Sequence, residues 1–138
     1  MVRVLILSHG PLADELLAAA KTINGGSADG IGALCLEWNV APETALEQCR
    51  RARDELDGRH GLLVLTDMFG GTPHNVARQL AADGPVEILS GVNLPMVVRL
   101  CCSNRTELDL PELADWLLEK GRGSICRAPC DTPSDDCE

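Results

Sequence analysis

The sequence predicts an α/β domain in which a doubly wound parallel sheet carries helices on both faces. Three observations support this. Short, nearly continuous apolar runs alternate with amphipathic stretches along the chain. Such runs read as strands buried on both faces, the situation of a parallel sheet sandwiched between helices. Turn signals punctuate the alternation at Gly10-Pro11, Asn24-Gly25-Gly26, Asp57-Gly58 and Gly84-Pro85. Finally, 138 residues with 45% hydrophobic and 24% charged composition fit one soluble domain whose core needs no disulfide or metal staple.

The elements follow in order. Residues 2–8 form the first strand. Leu12, Leu16, Leu17, Ala20 and Ile23 then share one helical face, and Asn24-Gly25-Gly26 ends that helix. Residues 31–38 read as a second strand. Pro42 opens a second helix with Ala45, Cys49, Ala52 and Leu56 along one side. Residues 61–66 form a third strand, and the loop Asp67-Met68-Phe69-Gly70-Gly71 follows. Thr72 as N-cap and Pro73 in the first turn start a third helix, which buries Val76, Ala77, Leu80 and Ala81. Residues 86–90 make a fourth strand. Short helices are expected near 95–102 and over 111–120, with Leu113 and Leu117 inward, and Arg122–Arg127 could form a short last strand. Residues 1–127 thus make one domain. Residues 128–138, acidic and with two prolines, are expected to be a disordered tail.

The net charge of −9 argues against nucleic acid or an anionic membrane as partner, since both require a basic face. Trp38, Phe69 and Trp116 are the only Phe, Trp or Tyr residues, too few for a base-stacking platform. No apolar run is long enough to insert in a bilayer, and the N-terminus reads as a strand rather than a signal peptide. A cytoplasmic protein is expected. Seven cysteines occur at irregular spacings without Cys-x-x-Cys. Cys35 and Cys49 fall on apolar faces, where a thiol behaves as a small hydrophobe. A metal or redox role for the tail cysteines Cys126, Cys130 and Cys137 has little support, and no metal site is expected.

In a doubly wound sheet, ligands sit beyond the carboxyl ends of the strands where strand order reverses. Chemistry is therefore sought just after strands 1 and 3, in Ser8-His9-Gly10 and in residues 67–72. If those strands are neighbours, Asp67 can hold one imidazole nitrogen of His9 and leave the other with a directed lone pair, as a nucleophile or a base. Gly70 and Gly71 allow close backbone approach. Thr72 and the helix start supply neutral donors that suit an anion such as a phosphoryl group. Met68 and Phe69 either form a docking patch or pack onto the sheet edge. His60 lies at the opposite end and reads as solvated. His74, in the first turn of the third helix, could touch a phosphate or partner but is more readily a surface residue.

Three segments carry a resemblance. Val4-Leu5-Ile6-Leu7-Ser8-His9-Gly10, Thr66-Asp67-Met68-Phe69-Gly70-Gly71-Thr72-Pro73-His74-Asn75 and Ser90-Gly91-Val92-Asn93-Leu94-Pro95-Met96 together resemble the IIA component (EIIA) of the mannose-family phosphoenolpyruvate-dependent sugar phosphotransferase system (PTS). The similarity runs over about residues 2–100 and is weaker over 101–127. The resemblance implies a sheet of order 2-1-3-4 and a homodimer that exchanges a C-terminal antiparallel strand, supplied by Arg122–Arg127. It also implies a phosphoryl carrier without cofactor, in which His9 accepts a phosphoryl group from the carrier protein HPr and passes it to a histidine of a IIB partner. Asp67 would steady the imidazole and Gly70, Gly71 and Thr72 would bind phosphate. Ser8, Gly10, Met68, Phe69, Asn93 and Pro95 would line the pocket.

Other readings share these residues. A stand-alone IIA protein is expected here, without the linker and IIB domain that some relatives carry. Such a protein could signal through its phosphorylation state rather than serve transport, or it could donate a phosphoryl group to a dihydroxyacetone kinase. A histidine phosphatase would need an arginine before the histidine, where this chain has Ser8.

Overall fold

The computed structural model describes residues 1–129. The elements run β1 (Arg3–His9), α1 (Leu12–Ile23), β2 (Ile31–Leu36), α2 (Pro42–Glu55), β3 (Leu62–Thr66), α3 (Thr72–Leu80), β4 (Val86–Ser90), α4 (Leu94–Cys102), a 3-10 turn (Arg105–Glu107) and α5 (Leu110–Gly123). The four strands pair in parallel in the order β2-β1-β3-β4. β1 and β3 are the inner strands. Their near-uniform burial explains why both read as unbroken apolar runs.

Side chains of β1 alternate between two cores. Val4 and Ile6, with Leu63 and Leu65 of β3, pack against α1, α4 and α5 through Ala13, Leu17, Val97, Leu100, Leu113 and Leu117. Leu5 and Leu7, with Leu62 and Val64, pack against α2 and α3 through Ala45, Cys49, Val76, Ala77 and Leu80. The period of two along each strand therefore feeds both layers.

Several expectations change in detail. β2 stops at Leu36, so Trp38 lies beyond the strand, in the loop before α2. Gly71, not Thr72, is the N-cap of α3; Thr72 and Pro73 occupy the first two helical positions. Leu12 and Ile23 are the first and last residues of α1 and are exposed, while Ala13, Leu17 and Ala20 between them carry its buried face. No strand forms over 122–127. Arg122 and Gly123 instead complete α5, whose amphipathic pattern continues through buried Gly121, packed against Met96. Ser124 closes that helix, and 125–127 carry no regular structure. A lone extended segment has no ladder partner to hold it.

Cys49 is fully buried, as its helical face predicts, and Cys35 is partly buried against the other core. Cys102 and Cys126 each take part in a disulfide, a state that irregular cysteine spacing cannot reveal. Among the described residues no cluster of His, Cys, Asp or Glu could hold a metal ion, and no helix is long and apolar enough to cross a membrane. Residues 130–138, with most of the expected tail and Cys130 and Cys137, lie outside the described residues.

Candidate functional site

The parallel order 2-1-3 delivers three loops side by side at one end of the sheet. β1 ends in His9, whose Cα is in register with Leu36, the last residue of β2. β1 and β3 are in register up to Leu7 and Thr66, so Asp67 emerges next to His9. His9 Nδ1 lies 2.8 Å from Asp67 Oδ2, and the His9 backbone N–H donates to the same oxygen at 2.8 Å. The Met68 N–H donates to Asp67 Oδ1 at 2.9 Å. An ionised carboxylate only accepts, so the imidazole proton belongs on Nδ1 and the Nε2 lone pair is left free. Two backbone donors fix the carboxylate before it meets the ring, which in turn fixes the ring. The side chains of His9 and Asp67 are 20% and 11% exposed, so the pair is sheltered but reachable.

Gly71 stands against the other edge of the ring. A Cβ there would lie 2.7 Å from His9 Cε1 and 3.3 Å from Nε2, so only glycine allows the loop this close. Gly70 has φ +83°, which turns the chain into that approach. Gly71 starts α3, where the N–H groups of Gly71, Thr72 and His74 precede the first intrahelical bonds; Pro73 has none to offer. Thr72 is exposed at this helix start. The Nε2 edge of His9 therefore faces a stretch of neutral donors and the positive end of a helix, which suits an anion.

Ser8 is fully buried. Its hydroxyl accepts from the Ala13 N–H at 2.7 Å and donates to the Gly10 carbonyl at 3.2 Å, which anchors the turn from β1 into α1. Ser8 therefore positions its neighbour and does not line the pocket. Gly10, at φ +55°, turns the chain after His9, and its N–H bonds to the Leu36 carbonyl at 2.9 Å.

A cleft of about 540 Å³ opens beside the ring, lined by His9, Pro11, Leu12, Glu15, Trp38, Asp67 and Met68. Met68 and Phe69 project outward rather than packing onto the sheet, with Phe69 78% exposed. Asn93 and Pro95 depart from their expected role and are absent from the cleft lining. The Asn93 side chain caps α4 by accepting from Met96 N–H and donates to the Gly121 carbonyl and Ser124 Oγ. Its amide thus fastens α4 to α5, while Pro95 is exposed in the first turn of α4.

Two features escaped the sequence reading. His74 is buried at 8% exposure, not a surface residue. Its Nδ1 lies 3.1 Å from Ser90 Oγ, which shares a 2.8 Å hydrogen bond with Thr66 Oγ1, and its ring meets Phe69 at 4.5 Å. This polar chain ties the start of α3 to the ends of β3 and β4. His60 is exposed at the far end of the sheet, as expected. The second missed residue is Trp38, whose indole stacks on His9 with ring centroids 5.2 Å apart and planes 17° apart. Strand order 2-1 together with a tryptophan just past the second strand was the available signal.

Residues 3–117 match the EIIA-man family model, described as the PTS system fructose IIA component. The chain is 29% identical over 125 residues to the PTS system mannose-specific EIIAB component of Escherichia coli, covering 90% of this chain and 38% of that protein. It therefore spans well under half the length of that relative. Similarity to the PTS system fructose-specific EIIA component of Bacillus subtilis is 31% over 118 residues, covering 85% of this chain and 80% of that one. Among solved structures, the mannose/sorbose specific IIA subunit from Enterococcus faecalis superposes with a TM-score of 0.81 at 25% identity, covering 96% of this chain and 97% of that one. EIIA from Streptococcus agalactiae gives 0.80 at 25% identity, over 92% and 97%. The sheet order, the matched span and these relatives agree: the chain belongs to the mannose-type EIIA family of the phosphotransferase system.

Proposed function

We propose that the chain is a phosphoryl carrier in which His9 accepts a phosphoryl group from HPr and passes it to a histidine of a IIB-type partner. The observation that carries this reading is the contact of 2.8 Å between His9 Nδ1 and Asp67 Oδ2, which leaves Nε2 as the reactive nitrogen. In the forward step the Nε2 lone pair forms a bond to phosphorus as the bond from phosphorus to the donor histidine breaks, and the electron pair of that bond returns to the donor ring. Asp67 offsets the positive charge that grows on the His9 ring, while the N–H groups at the start of α3 and the Thr72 hydroxyl face the equatorial oxygens. No cofactor is required, because donor and acceptor are both phosphohistidines and positioning lowers most of the barrier.

The exposed Met68, Phe69, Leu12 and Trp38 surround this site and provide an apolar rim for a docking protein. The net charge of −9 favours a partner with a basic face. A homodimer belongs to the same reading, with the outer edge of β4 and the exposed Ile125 as the surfaces a second copy would cover.

The test is incubation with phosphorylated HPr followed by mass-spectrometric mapping of the label. One phosphoryl group on His9 is expected, and none in His9→Ala. Label on another residue, or uptake that survives His9→Ala, refutes the proposal.

A further inference from the structure

Trp38 holds an unusual position for so large a side chain. It is 74% exposed, yet one face of its indole covers the imidazole of His9. The indole also lies across the backbone of Gly10, where a Cβ would meet Trp38 Nε1 at 3.2 Å and Cζ2 at 3.3 Å. Two contacts therefore seat the ring: the Gly10 backbone beneath one edge and the His9 face beside it. The three groups around the imidazole approach it from different sides. Asp67 takes Nδ1, Gly71 limits the Cε1–Nε2 edge, and Trp38 covers a face.

We infer that Trp38 is a positioning residue for phosphoryl transfer: its stacked indole holds the plane of the His9 ring so that the Nε2 lone pair points toward phosphorus, and its π face stabilises the positive charge the ring gains. This rests on the phosphoryl-carrier reading above and adds a component to it. A hydrogen bond at Nδ1 alone leaves the imidazole free to rock about that bond. A flat partner on the ring face removes this motion, and an aromatic face attracts a cation where an aliphatic one does not. Rocking matters because in-line attack tolerates little misalignment of the lone pair.

Trp38 also belongs to the exposed rim, so its role in alignment must be separated from a role in docking. A donor too small to use a docking surface does this. With phosphoramidate, the His9 Nε2 lone pair forms the N–P bond while the P–N bond of the donor breaks. That electron pair leaves with the donor nitrogen, which is already protonated as –NH3+ in the zwitterion of phosphoramidate and so departs as neutral ammonia, while Nδ1 keeps its proton, hydrogen-bonded to Asp67.

The experiment measures the rate of His9 labelling by phosphoramidate in the full-length protein and in W38F, W38L and W38A, with far-ultraviolet circular dichroism and melting as folding controls. W38L and W38A are expected to label about tenfold more slowly, and W38F within about threefold of the parent, because phenylalanine restores a flat π face. Trp38 emission should also change on labelling, seen as the difference between the parent and W38F, which retains Trp116. Equal labelling rates in all four proteins would overturn the inference and leave Trp38 as a docking residue. So would W38F and W38L slowing alike, since the π face would then be irrelevant. W38L serves if W38A fails to fold. If the parent is not labelled on His9 by either phosphoramidate or phosphorylated HPr, the carrier reading fails. If it is labelled and the variants match it, only the role of Trp38 fails.

Discussion

Gly71→Ala is the smallest perturbation that reaches the Nε2 edge of His9. The backbone of Gly71 has φ −80°, so alanine fits without conformational strain. Its methyl carbon, however, would lie 2.7 Å from His9 Cε1. Ordinary carbon contacts are about 3.5 Å, so the ring must retreat by about 0.8 Å. A retreat of that size can stretch the 2.8 Å contact with Asp67 beyond hydrogen-bonding range. It also turns Nε2 away from the helix start. Misplacement of a reacting group by about 1 Å costs on the order of a hundredfold in rate, and that loss is expected here. Replacing glycine by alanine at an N-cap should cost only about 1 kcal/mol of stability. Gly70→Ala is the counterpart: it strains a backbone at φ +83° but meets nothing within 4 Å, so stability should fall by about 1 kcal/mol with a smaller effect on transfer. The assay is the initial rate of phosphoryl uptake from phosphorylated HPr, paired with urea unfolding. Transfer by Gly71→Ala within threefold of the parent would show that the loop yields rather than the ring, and the crowding argument would be wrong.

Three further outcomes are expected. Asp67→Asn keeps the shape of the side chain but removes its charge and one acceptor oxygen, so an NH2 faces the His9 or the Met68 N–H; it should slow labelling of His9 about a hundredfold and lower the unfolding free energy by about 1–3 kcal/mol in urea titrations. Ser8→Ala leaves the buried Ala13 N–H without its acceptor and should lower the unfolding free energy by about 1–3 kcal/mol in urea titrations. Burial pushes the Cys49 thiol up from 9.0 to about 12; the folded state thus keeps a proton that the unfolded chain releases. The stabilisation is complete below about pH 9 and is lost as pH rises toward 12, so the parent should lose stability over that window by more than Cys49→Ala does.

The fold was legible in the sequence because its strands are buried on both faces and its turns are marked. Val4 through Leu7 and Leu62 through Leu65 could only be interior strands, and Pro11, Pro42 and Pro73 mark helix starts. The nearness of His9 and Asp67 followed from the adjacency of β1 and β3, and the crowding at Gly71 from the need for close backbone approach. Residues whose role depends on side-chain direction were not legible. Trp38 was read as the end of β2, and nothing in its local sequence shows that it turns back over His9. Asn93 sits in a motif beside the site, yet its amide is used by α4 and α5. His74 lies at a helix start, where exposure is the usual outcome, but β4 supplies Ser90 to bury it against. The segment 122–127 read as a short strand, but the packing of Gly121 on Met96 carries α5 through Gly123, and 125–127 form no regular structure.

The division of β1 between two separate hydrophobic layers has a consequence for how this protein tolerates sequence change. Val97 or Leu113 can be altered without disturbing Leu80 or Val76, because the sheet stands between them as a partition. Losses in the two compartments should simply add, since the affected side chains share no neighbours. The inner strands answer to both compartments at once, and β1 is the one that terminates in His9. Drift can therefore proceed independently on either side of the sheet, while the strand bearing the histidine has the least room to change.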